Sequence, residues 1–223
     1  MMAGMLGALL VLCIASVSWL FFTYVLKHRL GFSYIGTPLK AIVFFLLLTA
    51  AVVFLFPAEV ARLYGNPPIL AILFCIGILC VINPFLYAYA RKKGSPANAH
   101  RDLEMLSLRW NFLVSKPSDV LYQQTSFGVF LLLLAGVGVP FEVLLVLFVA
   151  AMFLTHLGMF LSVPRRFAWY FLVSSVVFSI PVVWLILFVP GGVYYALGLH
   201  MLWYALGGAG IALATAHRER VVF

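Results

Sequence analysis

Three places in the chain set amide or imidazole side chains inside apolar sequence: Gln123-Gln124, Thr155-His156 and His200. Such groups are costly in hydrocarbon, so they mark either a functional site or a contact that bridges two helices. An imidazole can take up and return a proton near neutral pH, which general acid–base catalysis requires. A primary amide cannot do so; it only orients and hydrogen-bonds. Each of these side chains alone is explained by helix bridging, so their order and spacing carry the argument. The sequence has no nucleotide loop, no cysteine or histidine metal spacing and no repeat between halves, so no metal or cofactor is expected. Cys13, Cys75 and Cys80 read as small packing residues.

The elements that must position these groups are apolar helices. The chain is 65% hydrophobic and 9% charged, and it divides into seven apolar stretches, at residues 3–26, 38–57, 69–90, 120–139, 142–163, 168–189 and 192–216. Thirteen of the fourteen Lys and Arg residues follow stretches one, three, five and seven, and only Arg62 falls elsewhere. Basic residues stay cytoplasmic during insertion, so the N-terminus is expected outside and the C-terminus inside a bacterial inner membrane. The formal charge of +8 is then explained by topology and anionic headgroups, and no nucleic-acid partner is expected. The first stretch lacks a basic leader and an A-x-A site, so it reads as a retained span. The expected fold is an all-α polytopic bundle, a single integral membrane domain over 1–223, with no soluble catalytic domain.

The stretches differ in texture. The first carries Ser16, Ser18, Thr23 and several Gly and Ala, suited to close helix contacts. The second, Ala41–Phe56, is aliphatic and aromatic and should face lipid widely. The third holds Asn83-Pro84, a kink beside which Asn83 is expected either to satisfy the freed carbonyl or to pair with a neighbouring helix. Ser179 and Pro181 predict a second kink in the sixth. Between stretches three and four, RKKGSPANAH has turn composition, and after it Leu103, Leu106, Trp110 and Leu113 recur at three and four residues. Arg101, Asp102, Arg109 and Lys116 lie largely off that stripe, which predicts a short amphipathic helix in the cytoplasmic interface.

The segments QQTSFG (Gln123 to Gly128), MFLTH (Met152 to His156) and GLHMLWYAL (Gly198 to Leu206) resemble the three signatures of the CAAX-protease and bacteriocin-processing (CPBP, Abi-type) intramembrane enzymes. Those signatures are Glu-Glu-x-x-x-Arg, Phe-x-x-x-His and His-x-x-x-Asn. Phe127 stands at the Phe that usually precedes the Arg; His156 and His200 stand at the two histidines. The separations, 33 residues from Gln123 to His156 and 44 on to His200, look like the family's. The resemblance covers 101–223 as a four-span region, leaving 1–100 as three N-terminal spans and a basic loop. It implies a glutamate that, helped by histidine, activates water against a peptide bond.

The departures from that pattern remove the chemistry it implies. Gln123 and Gln124 replace both glutamates, Gly128 the arginine, Met152 the phenylalanine and Tyr204 the asparagine. An amide cannot act as the base. Asp119, one turn before Gln123, should lie at the membrane surface, and Glu142 at the opposite face. Depth adds a further constraint. Gln123 and His156 lie seven to nine residues from Lys116 and Arg165, whereas His200 lies eighteen from Arg218. That difference is about 13 Å along a helix and closes only if the last span continues beyond the bilayer.

Three functions fit these residues. The favoured one is a catalytically inactive CPBP-like protein serving as structural or accessory subunit of a membrane assembly, its aromatic residues and Gly207, Gly208 and Gly210 packing against other subunits. The others are an active protease with an unusual base, and a small transporter or lipid-binding protein with Gln123, Gln124, His156 and His200 lining a polar cavity. Missing repeats and an odd span number weigh against the transporter. The topology predicts that a cysteine placed at Ser95 is labelled only by permeant reagents and one at Asn66 by impermeant reagents; outside labelling of position 95 in intact cells would reverse the assignment.

Overall fold

In the computed structural model, the described residues are 2–93, 107, 109–157, 160 and 165–221. Their secondary structure is entirely helical: α1 Met2–Leu30, α2 Pro38–Leu55, α3 Pro57–Tyr64, α4 Ile69–Lys93, α5 Trp110–Gly136, α6 Phe141–Leu157, α7 Arg165–Phe188 and α8 Gly192–Val221. Punctuation in the sequence sets several ends. Gly31 terminates α1 in the left-handed region at φ 65°, where a side chain would be strained. Pro38 and Pro57 open α2 and α3, where a missing N–H costs nothing.

Five helices are long and apolar enough to cross a membrane: α1, α2, α4, Ala168–Phe188 within α7 and Gly192–Leu213 within α8. The chain is therefore read as a helical integral membrane protein. Its outward side chains agree, with Leu47, Phe54, Ile69, Trp169 and Val177 all exposed. α6 is equally apolar but spans 17 residues. α5 differs for another reason: it is the centre of the bundle. Ten of the eleven positions from Tyr122 to Leu132 are buried, all except Gln123, so protein surrounds the helix on every side. α1 and α2 pack along it, and α3, α6, α7 and α8 also touch it. A helix that meets protein all round can carry polar side chains that lipid would reject.

Small residues let the neighbours close in. A Cβ on Gly7 would stand 3.3 Å from Leu133, and a Cβ on Gly4 would collide with Val137, so α1 lies directly on the end of α5. Across α2, Phe45 is fully buried with ring centroids 4.8 Å from Phe22 and 6.1 Å from both Tyr34 and Tyr122. The rest of α2 faces outward apart from Ala41 and Val52. Phe56 also reaches Gly7, which sets the end of α2 level with Leu133. α3 then turns back along α5: Leu63 lies against Gly128, and the Tyr64 and Thr125 hydroxyls are 2.8 Å apart.

Two expectations need correction here. Pro84 cannot serve the carbonyl four residues earlier, and the helix answers with a π turn over Ile78–Ile82, the Asn83 N–H reaching Ile78 O. The Asn83 side chain takes no part; it is buried and neither amide atom has a hydrogen-bond partner among the described residues. The amphipathic interfacial helix falls mostly outside the described residues, at 94–106 and 108. From Trp110 onward the chain already belongs to α5, and Lys116 is buried inside the bundle. It lies inward because Asp119 and two aromatic rings receive it there.

Candidate functional site

The first turns of α5 build a polar centre that neighbouring elements complete. Lys116 and Asp119 are one helical turn apart, 1% and 0% exposed, and form an ion pair. A buried charge survives only when paired and fully hydrogen-bonded, and Asp119 is both. Its Oδ2 accepts from Lys116 Nζ and, at 2.8 Å, from the Tyr34 hydroxyl; its Oδ1 accepts from Gln123 Nε2 at 2.8 Å. Lys116 Nζ also sits 4.8 Å from the Tyr34 ring centroid and 4.4 Å from that of Tyr204, a cation held between two π faces. The loop carrying Tyr34 is pinned to the same helix: Ser115 Oγ donates to Tyr34 O at 2.9 Å and Asn111 Nδ2 to Ile35 O at 2.8 Å.

This centre was not among the places singled out from the sequence. Asp119 is fully buried in protein, whatever its depth in the bilayer. The available signal was the opposite-charge pair three residues apart, directly before an apolar run. Glu142 is in the first turn of α6 while His156 closes the same helix, so about 21 Å of helix separates them.

Beyond the ion pair the predicted residues converge. Gln124 Nε2 and His200 Nδ1 are 2.9 Å apart, so the 13 Å mismatch in depth is absent. α8 makes this possible because it runs unbroken for 30 residues, about 45 Å, longer than a hydrocarbon core needs. The amide donates, which leaves Nε2 of His200 to carry the ring proton. His156 Nδ1 stands 2.8 Å from Met152 O and must donate to it, so its Nε2 is an acceptor. Tyr204, at the third-motif asparagine position, stacks on His200 with centroids 5.2 Å apart and presents its other side to Lys116.

Gln123, Gln124, His156 and His200 line one chamber of about 40 Å³, together with Ser174, Ser175 and Ser179 of α7. A second chamber of about 30 Å³ adjoins it, shares Gln123, His156 and Tyr204, and is lined by Lys116. The serine hydroxyls donate to carbonyls of their own helix, at 3.0, 2.8 and 2.7 Å, and offer the chamber only acceptor lone pairs. Gln124 Oε1 is buried without a partner. Space of this size holds a few water molecules and no more. Among the described residues no group of three His, Cys, Asp or Glu is arranged to hold a metal ion.

Position 128 has little room for a side chain. A Cβ on Gly128 would collide with both δ carbons of Leu63, so α3 fills the volume that a side chain there would need. No protein-family model, curated protein or solved structure matches this chain. Fold and site together define a class: a helical integral membrane protein whose central helix holds a buried ion pair beside a small, histidine-lined chamber.

Two outcomes follow for folding. Lys116→Met leaves Asp119 as an uncompensated buried charge and should destabilise by about 3–5 kcal/mol, while the double variant Lys116→Met/Asp119→Leu should recover much of that loss. Gly128→Arg should cost about 3 kcal/mol or more by overpacking against Leu63, with partial relief in Gly128→Arg/Leu63→Ala. Thermal denaturation in detergent reads both; equal stability of Lys116→Met and the parent would remove the ion pair from its central role.

Proposed function

We propose that this chain is a catalytically silent relative of the CPBP intramembrane proteases that serves as a structural or accessory subunit of a membrane protein assembly. In this reading all seven long helices cross the bilayer, with α5 and α6 added to the five apolar ones, and α3 remains at one edge. The basic segments face the cytoplasm of a bacterial inner membrane, the N-terminus lies outside, and Lys116 marks the cytoplasmic end of α5.

The observation that carries the reading is the state of Asp119. It is the carboxylate nearest the histidines among the described residues, and three donors already occupy it. Two of these donors lie on Oδ2 and one on Oδ1, so a water in the chamber would have to compete with them for the carboxylate before that group could act as a base. Gln123 spends its amide donor on Asp119 and Gln124 on His200, so both glutamine positions orient neighbours and move no proton. The volume beside Gly128 is filled by Leu63, which favours a fold maintained after its orienting cation was lost. A protease with an unusual base would need Asp119 released from all three donors.

Purification of the tagged chain in mild detergent tests the reading. The expected result is a defined complex, larger than the 24.8 kDa chain with its micelle, that holds a reproducible set of membrane proteins and cleaves no peptide. A chain that migrates alone and cleaves a peptide in a manner abolished by His156→Ala would replace this reading with an active protease.

A further inference from the structure

A third cavity, of about 160 Å³, lies at the opposite end of α5 from Lys116, between α3 and the turn joining α7 to α8. It offers roughly ten times the space one water requires, unlike the two chambers beside the histidines. Its wall includes Arg62, Asn66, Leu132 and the main chain from Val189 to Val193. Arg62 is the lone basic residue outside the thirteen that follow the odd-numbered spans. Glu59 lies one turn before it, yet no ion pair or hydrogen bond ties the guanidinium among the described residues, and no carboxylate lines the cavity. A cation-bearing cavity without an anion of its own selects an anion.

Depth says which kind of anion is at hand. Leu132 is four residues from the C-terminal end of α5, about 6 Å along its axis. α3 turns back from the end of α2 to reach that level, so Arg62 opens at the layer where a bilayer places its headgroups. A guanidinium presents paired donors that match a phosphate, and an isolated basic residue at this depth needs such a partner. We propose that the cavity binds the phosphate group of a phospholipid headgroup, with Arg62 as its ligand. The inference rests on the membrane placement of α3 and is independent of any relation to the proteases.

The test uses the purified full chain in detergent and measures binding of dihexanoylphosphatidylglycerol by thermal shift, with dihexanoylglycerol and inorganic phosphate as separate probes. Arg62 is exposed and unbonded, so Arg62→Gln should fold as the parent does; Arg29→Gln, at the end of α1, serves as the charge control. The expected result is that the phospholipid binds, dihexanoylglycerol does not, and Arg62→Gln weakens binding roughly tenfold or more while Arg29→Gln leaves it unchanged. Equal binding to parent and Arg62→Gln, or equal binding of the phosphate-free lipid, overturns the proposal. Inorganic phosphate binding as tightly as the lipid, with the same dependence on Arg62, overturns the lipid as its source and assigns the site to the soluble ion.

Discussion

The pair formed by Lys116 and Asp119 organises much of what surrounds it. Two charges withdrawn from water each carry a desolvation cost of several kcal/mol, and that cost is tolerated only where geometry supplies every missing partner. Here the partners arrive from three separate pieces of chain: Tyr34 from the turn after α1, Gln123 from α5 itself and Tyr204 from α8. Each helix is thereby fixed in register against the others. In lipid the hydrophobic effect does not press helices together, so a demanding polar contact of this kind supplies specificity that apolar packing alone would leave loose. The register it imposes also brings His200 down to the level of Gln124.

The apolar architecture was legible in the sequence because hydrocarbon permits few alternatives. Length and composition located α1, α2, α4, α7 and α8, and proline and glycine located several of their ends. α5 was harder to read. Its second half was recognised as a span, while its first half, with Asn111, Ser115, Lys116, Ser118 and Asp119, has the composition of a surface segment. Composition reports what a residue type usually meets; it does not report that six other helices enclose this one. Burial of Lys116 is a tertiary fact that no periodicity within the segment could convey.

The site divides in the same way. Spacing and a family resemblance brought Gln123, Gln124, His156 and His200 into one frame, and the geometry sets them around a single chamber. Counting residues from flanking charges sets His200 at the depth of Gln123 and His156 only if the last span does not stop at the edge of the bilayer. α8 does not; it continues for 30 residues. The burial of Asp119 was not legible for a related reason, since residue count along a span gives depth in the bilayer and not enclosure by other helices. Leu63 could not be found at all from sequence. Nothing in a short mixed octapeptide between two spans reveals that it folds back on a glycine more than sixty residues away.

That contact between Leu63 and Gly128 bears on the history open to the protein. With a glycine at 128 and a leucine from another segment packed against it, the two positions are not free to change separately. A larger side chain at 128 meets Leu63, and reduction of Leu63 beforehand leaves a void with nothing to fill it, so each first step is harmful on its own. The pairing is held in place by packing, and mutation one residue at a time finds no short road out of it.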